Sequence, residues 1–299
     1  MTPALPHTRR ATPIGPISLV IVGLICQDIG ASFAVLLFPA IGALGMVALR
    51  LGFSAIILLA ISRPTLRGHS LRDWLTVVAF GVALAGMNGV FYEALARIPL
   101  GAAVTIEVLG PLVLSVIASR RASSWLWAIL AFAGVALLGR ASFDSLDPLG
   151  VLFAVGAAVM WALYIVLSAR TGARFPRMNG LAIAMAVGAI LALPFGIFAA
   201  GPVLFRLDHL LLGLAVAVLS STIPYALELR ALRRIPAAAF SVLMSLSPAI
   251  ATLAGFVVLG QRLTVVALVA IGLVIVASIG AVLSRSRSGP SMLPTDPLA

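Results

Sequence analysis

Four polar side chains lie within long apolar stretches, where they can interact only with one another or with a bound molecule. They are Asp28, Arg50, Asn88 and Glu107. Placing an ionisable group inside a bilayer costs at least about 2.5–3.5 kcal/mol, so such a group is expected to have a function. The carboxylates can take up protons or bind an ammonium group, and the guanidinium can bind a carboxylate through two hydrogen bonds.

The depths of these residues in their helices place them in one layer. At the rise of an α-helix, Asp28 and Asn88 lie about 21–22 Å from one face of the bilayer. Arg50 and Glu107 lie about 10–14 Å from the opposite face. In a hydrocarbon core about 30 Å thick, all four fall between the midplane and that second face. We therefore expect one cavity that contains two acids, one base and one amide.

The charges in this layer do not cancel. An ion pair of Arg50 with Asp28 or Glu107 could be purely structural and hold the helices in register. The other acid would then be protonated, open to water or paired with a ligand that binds and is released during transport. We expect at least one acid to bind substrate or a proton. For the proton Glu107 is the first choice and Asp28 the second, because Pro111 interrupts the hydrogen bond of the Glu107 carbonyl.

The elements that must position these residues are membrane helices. Of the 299 residues, 62% are hydrophobic and only 10% are charged, and the mean hydropathy is +1.19. Soluble domains carry about 25% charged residues. We predict an all-α integral membrane protein with ten transmembrane helices and no soluble domain. The predicted spans are residues 14–37, 41–61, 73–92, 100–119, 125–139, 148–168, 180–199, 209–227, 237–259 and 265–283.

An internal repeat predicts how these spans are arranged. Residues 94–111 and 231–248 share 8 of 18 residues at an offset of 137. Five spans per half is an odd number, so the halves should be inverted repeats around a central cavity. Inverted repeats are typical of secondary transporters, whose binding site lies between the halves. The predicted domains are a tail at 1–13, repeats at 14–140 and 148–283, and a disordered tail at 284–299.

Each copy of the repeat carries two prolines at equivalent positions. They are Pro99 and Pro111 in the first copy, and Pro236 and Pro248 in the second. Proline is favoured in the first turn of a helix, where its missing N–H would have no partner. An internal proline leaves the carbonyl four residues earlier without its helical hydrogen bond. An ordinary bent helix is one interpretation; the symmetric pair favours a role in binding or gating.

The charged residues outside this layer predict the topology. All 20 basic residues are arginine and the net charge is +11. With the N-terminus inside, fifteen arginines fall in cytoplasmic segments and four in outer loops, a strong positive-inside bias. Both termini are expected in the cytoplasm. The spread of the arginines argues against nucleic-acid binding, and no His, Cys and carboxylate cluster has metal-ligand spacing. We expect no metal and no cofactor; the oligomeric state is left open.

Five further residues have two interpretations each. Glu93 and Arg97 are four residues apart, a favourable helical ion pair at a span end. Glu228 lies near Arg230 at another span end. Ion pairing at the membrane interface is the main interpretation, and a gate is the alternative. Trp161 and Tyr164, in the helix that opens the second half, either pack in the core or line the cavity.

The residues also resemble a known family. The stretches ALRLGFSAIILL (48–59), GMNGVFYEALARIPLGAAVTIEVLGPL (86–112) and STIPYALELRALRRIPAAAFSVLMSLSPAIATLAGFVVLGQRLT (221–264) are similar to EamA-type transporters of the drug/metabolite transporter superfamily. Within it they are closest to the bacterial threonine/homoserine exporter branch. The resemblance implies ten helices, a bacterial inner membrane and proton-driven efflux of small amino acids. Gln261 replaces the family's acid after Leu-Gly, and Asp28 stands where an uncharged residue is expected.

The residues and the resemblance together predict a secondary exporter of small amino acids or related metabolites. Arg50 would bind the carboxylate of the substrate, and Asp28 or Glu107 its ammonium group. A drug or other metabolite exporter of the same fold is the alternative. An intramembrane enzyme is less favoured, since the sequence has no HExxH motif, no histidine in the interior of a predicted span and no nucleophile motif.

Overall fold

A computed structural model describes residues 14–119, 122–141, 146–176, 178–232 and 243–286. Within these ranges the regular elements are all helical. The α-helices are α1 (Ile14–Ser62), α2 (Leu71–Leu95), α3 (Leu100–Glu107), α4 (Leu109–Ser119), α5 (Ala122–Ala141), α6 (Pro148–Gly172), α7 (Asn179–Ala200), α8 (Leu207–Ala217), α9 (Ile223–Leu232), α10 (Ser247–Leu259) and α11 (Val265–Ser286).

The helices have the length and surface of membrane helices. Five segments are long and apolar enough to cross a bilayer, and shorter apolar helices accompany them. Large apolar side chains face outward, such as Phe198, which is 94% exposed. A helix that is apolar all round is typical of a membrane span. The molecule is therefore a multi-pass helical membrane protein; the number of crossings and the inverted relation of the halves stay predictions.

Helix α1 contains two of the predicted spans. It bends at Gly42, whose φ of 70° and ψ of 169° are not helical. A positive φ favours glycine, because a side chain would clash with the backbone there. The second span therefore begins after Gly42, close to the predicted boundary.

Internal prolines interrupt the helices of both halves at equivalent positions. Helix α3 ends at Glu107 and α4 begins at Leu109, with Val108 between them. In the second half, residues 243–244 are helical, a turn follows at 245–246, and α10 begins directly before Pro248. The turn starts 137 residues after Val108, the offset of the sequence repeat. Each interruption removes a helical hydrogen bond near the middle of its span.

A third interruption was not predicted from the sequence. Residues 218–222, between α8 and α9, form a turn of π-helix, in which Ile223 donates its N–H to the Val218 carbonyl. Such turns often mark functional sites. Pro224 explains the local backbone, because it has no N–H to donate to the carbonyl of Ser220 four residues earlier. The Ser220 carbonyl is therefore open to a side-chain donor.

The core lies where the first-half helices meet the second-half helices. Helix α1 packs against α7, and α2 packs against α6. Small residues allow this close approach: a side chain at Gly196 would overlap Ala48, and one at Gly110 would overlap the Ala158 carbonyl. The two halves thus share one interface, in which the polar residues of the site are buried.

Candidate functional site

Arg50 joins the two halves at the centre of the site. It lies on α1, is only 8% exposed, and donates three hydrogen bonds. Nε donates to Oγ of Ser221, and Nη2 to the carbonyl of Ser220, each at 3.1 Å. Nη1 donates to the hydroxyl of Tyr92 on α2 at 3.1 Å. The π-helical turn and α2 together therefore fix the orientation of the guanidinium.

The partners of Arg50 are neutral. Within the described residues, it forms no ion pair with Asp28 or Glu107 at the 4.0 Å limit. The structural ion pair considered from the sequence is thus not what holds it there. A guanidinium has five N–H groups, and three of them are used. The positive charge is held in place without being neutralised, so it can attract an anionic group of a ligand.

Tyr92 is the main site residue that the sequence analysis missed. It is fully buried, and its ring packs against Phe38 and Phe91 with centroids 5.7 Å and 6.2 Å away. The Arg50 Cζ lies 5.3 Å from the ring centroid, within the range of a cation–π contact. The sequence did contain a signal for Tyr92: it lies four residues after the predicted site residue Asn88, and residues four apart share a helix face. Asn88 is buried and donates Nδ2 to its own helix, at the Leu84 carbonyl.

Ser220 and Ser221 were also missed. Both are buried, although serine hydroxyls in an apolar span are common and gave no clear signal. The signal that could have found Ser220 is Pro224, by the same reasoning that identified the Glu107 carbonyl from Pro111. The π-helical turn supplies one carbonyl and one hydroxyl to Arg50 because this proline interrupts the helix.

Asp28 is the least satisfied polar residue of the site. It is 2% exposed, and its Oδ2 has no hydrogen-bond partner in the described part of the chain. Its segment of α1 lies against the π-helical turn: the Ser220 hydroxyl is 3.5 Å from the Gln27 carbonyl, and Gly30 contacts Ser220. A buried carboxylate oxygen without a partner is unfavourable unless a proton or a cation joins it.

Glu107 links Asp28 and Arg50 electrostatically. It is the last residue of α3, at the interruption caused by Pro111, and it is partly buried. Its charge acts on Asp28, and the charge of Arg50 acts on Glu107. No two of these groups are in direct contact among the described ion pairs. Glu107 therefore lies within electrostatic reach of Asp28 and of Arg50 and pairs directly with neither in the described part of the chain.

The remaining predicted site residues are placed less centrally or not described. Trp161 lies partly exposed on α6. Tyr164 packs its ring against Phe80 of α2, with centroids 5.1 Å apart, in the interface between the halves. Pro236 lies outside the described residues, and of Glu228 only the backbone in α9 is described.

An ion-pair cluster lies where α2 ends and α3 begins; we call this the outer end of the bundle. Arg97 forms an ion pair with Glu93, and its Nε is 3.8 Å from Oδ2 of Asp147. Asp147 caps α6 by accepting the Leu149 N–H. Arg97 also lies over the ring of Phe153, 5.0 Å from its centroid. The cluster connects the end of α2 to the beginning of α6, that is, one half to the other.

Helices α3 and α10 are also joined at the outer end. The Leu100 N–H, one of the N–H groups without an intrahelical partner at the beginning of α3, donates to Oε1 of Gln261 at 3.2 Å. Gly260, in the left-handed conformation, turns the chain so that Gln261 can reach α3. Gly101 packs against Thr252 of α10 so closely that a side chain would overlap it. The two proline-interrupted spans are therefore in direct contact at this end.

Comparison with known proteins identifies the family. Residues 148–283 match the EamA-like transporter family. The threonine/homoserine exporter RhtA of Escherichia coli (strain K12) is 38% identical over 283 residues, covering 94% of this chain and 96% of that protein. The chain belongs to the EamA-like transporter family. RhtA of Salmonella typhimurium (strain SL1344) is 37% identical over 286 residues, covering 95% of this chain and 97% of that protein.

A solved structure supports the fold of this EamA-type transporter. A crystal structure of a protein 21% identical to it aligns with a TM-score of 0.63, covering 91% of this chain and 99% of that one. At this identity the likeness concerns the fold alone. The family membership makes the chain a transporter and not an enzyme. The buried polar cluster of Asp28, Arg50 and Glu107 is then a candidate for the site that the transported molecule occupies.

Proposed function

We propose that this protein is a secondary active exporter of small amino acids or related amino compounds in a bacterial inner membrane. The observation that carries the proposal is the group formed by the buried Arg50 and Asp28 and the partly buried Glu107, where the two halves meet. An amino acid needs both signs of charge from its site, and this cluster has both. The printed names of the relatives, which are threonine/homoserine exporters, support the same substrate class.

Arg50 binds the carboxylate of the substrate. Its guanidinium is already oriented by Tyr92 and the π-helical turn, so little side-chain entropy is lost when the substrate arrives. A carboxylate can accept two parallel hydrogen bonds from a guanidinium, which fixes its orientation as well as its charge.

Glu107 binds the ammonium group. Arg50 and Glu107 attract each other electrostatically without forming a direct ion pair among the described residues. The carbonyl that Pro111 deprives of a helical N–H adds a second acceptor at the same interruption, and the Met244 carbonyl does so in the second half. Such interrupted helices are a common way for transporters to bind charged groups in the membrane.

Proton exchange drives the transport. Two neighbouring carboxylates with one base favour proton uptake by one of them when the substrate leaves. Glu107 takes this proton, because Pro111 interrupts its helix and frees the Glu107 carbonyl there. The halves then rock about the site and expose it to the two sides of the membrane in turn. Both termini lie in the cytoplasm, so the outer end faces outward.

Replacement of Arg50 by lysine tests the proposal. Lysine keeps the charge but lacks the planar fork, so it cannot contact Ser220, Ser221 and Tyr92 together. Counterflow of labelled threonine and homoserine into proteoliposomes should fall about tenfold or more, with the protein still folded and inserted. Arg206→Lys is the matched control, because Arg206 is exposed and pairs only locally with Asp208.

Two outcomes would count against this function. Normal counterflow by Arg50→Lys would show that the guanidinium does not recognise the carboxylate. If the wild-type protein exchanges no amino acid and instead gives cells resistance to unrelated drugs, the drug-exporter alternative of the same fold is correct.

A further inference from the structure

The charge of the site is not balanced by an amino acid with a neutral side chain. The cluster contains Asp28, Glu107 and Arg50, so its net charge is −1 when all three are ionised. A zwitterion such as threonine adds no net charge. With threonine bound, one negative charge would remain buried in a medium of low dielectric constant, where an uncompensated charge is costly.

Asp28 is the acid that lacks a cation. Oδ2 of Asp28 is buried and has no hydrogen-bond partner in the ranges that the structure describes. Arg50 gives its three hydrogen bonds to Ser221, Ser220 and Tyr92. The carboxyl group of Asp28 is therefore placed to receive a positively charged hydrogen-bond donor.

The site of an antiporter changes from one side of the membrane to the other with substrate bound in one direction and with the exchanged ion bound in the other. A site of net charge −1 is neutral when it carries one proton, and also when it carries one substrate of net charge +1. An amino acid with a cationic side chain has this charge at neutral pH. When one such molecule is exchanged for one proton, the site is neutral with either occupant bound. The exchange moves no net charge across the membrane.

We propose that Asp28 forms a second ammonium subsite and that the preferred substrates are amino acids with a cationic side chain. The inference rests on the proposed export function and specifies its substrate class. Arg50 binds the carboxylate, Glu107 the α-ammonium group and Asp28 the side-chain ammonium group. Asp28 therefore determines specificity between cationic and neutral amino acids.

Counterflow into proteoliposomes that contain the purified full-length protein tests the proposal. Labelled lysine and ornithine should exchange at least about tenfold faster than threonine at equal concentration, as expected for one added charged hydrogen bond. Nε-acetyl-lysine, which keeps the length of lysine without the charge, should exchange about tenfold more slowly than lysine. This comparison needs no variant, so it remains decisive if substitutions at Asp28 prevent folding.

Asp28→Asn should change the selectivity and not abolish transport. The preference for lysine over threonine should fall by about tenfold or more, because the amide cannot pair with an ammonium group. Asp208→Asn is the matched control. Asp208 is exposed on α8 and pairs with Arg206, so its replacement should leave the preference unchanged.

The outcomes separate this inference from the function on which it rests. Exchange of threonine without lysine or ornithine would overturn the cationic substrate class and leave amino-acid export standing. Exchange of no amino acid would overturn both. An unchanged preference in Asp28→Asn would overturn the role of Asp28. Threonine exchange that requires sodium only while Asp28 is present would assign the subsite to an inorganic cation, which also contradicts the proposal.

Discussion

At the scale of single residues, the important feature is that Arg50 is positioned by neutral groups. The guanidinium pairs with neither Asp28 nor Glu107 among the described residues and donates instead to a serine hydroxyl, a serine carbonyl and a tyrosine hydroxyl. Neutral partners orient the side chain and leave its charge available. This explains how a buried arginine can be both ordered and ready for a carboxylate.

Tyr92→Phe tests this positioning role. Phenylalanine keeps the ring packing against Phe38 and Phe91 and removes only the acceptor for Nη1 of Arg50. The KM of amino-acid counterflow should rise about tenfold, while the amount of folded protein stays unchanged. The maximal rate should change much less than KM. An unchanged KM would show that the hydroxyl does not hold Arg50 for substrate.

The sequence indicated the charged residues of the site but not their partners. Asp28, Arg50 and Glu107 stand out because charges within apolar stretches are rare. Tyr92 and Ser221 do not stand out, because hydroxyl groups are common in membrane helices. Which hydroxyl meets Arg50 depends on how α1 packs against the other half, and hydropathy carries no information about that packing.

At the scale of helices, the functional features are the interruptions. Pro111, Pro248 and Pro224 each leave one backbone carbonyl without a helical partner. The Ser220 carbonyl is used by Arg50, whereas those of Glu107 and Met244 are the acceptors that we propose for the substrate. The interruption at Pro111 was predictable from sequence. The π-helical geometry was not, since a proline predicts the loss of a hydrogen bond but not how the preceding turn rearranges.

Pro111→Ala should restore a continuous helix through α3 and α4. The new N–H would bond to the Glu107 carbonyl, which would then be withdrawn from the substrate. We expect slower transport, and a melting temperature that is unchanged or higher, because a helical hydrogen bond is gained. Pro194→Ala is the control, since α7 continues through Pro194 without interruption. Equal effects of the two substitutions on transport would contradict a specific role for the interruption.

At the scale of the whole molecule, the two halves are fastened together at the outer end. Arg97 reaches from α2 to Asp147 before α6, and Gln261 reaches from the turn after α10 to α3. Opening of the site toward this end must break these contacts. Within the described ranges, most helix ends lie within a few residues of the ends predicted from the sequence. The pairing of α1 with α7 and α2 with α6 did not, because it depends on which small residues face each other.

Gln261→Ala should make the outer end open more easily. The Leu100 N–H would lose its acceptor, and the closed arrangement would be destabilised. A cysteine at Thr252, in a Cys26→Ser background, should then react several-fold faster with a membrane-impermeant thiol reagent added outside. Gln261→Glu keeps an acceptor and serves as the control. If Gln261→Glu is labelled faster than the protein with Gln261, or if Gln261→Ala is labelled no faster, this hydrogen bond does not hold the outer end closed.

Glu107→Gln tests whether substrate and proton use the same group of charged residues. Glutamine keeps the carbonyl acceptor and removes the proton-binding group. In membrane vesicles the variant should continue to exchange amino acid for amino acid, with a raised KM because the neutral amide binds the ammonium group more weakly, but its efflux should no longer respond to a pH gradient. Efflux that follows the pH gradient as in the wild-type protein would contradict the account. Loss of the pH response only in Asp28→Asn would assign the proton to Asp28 instead.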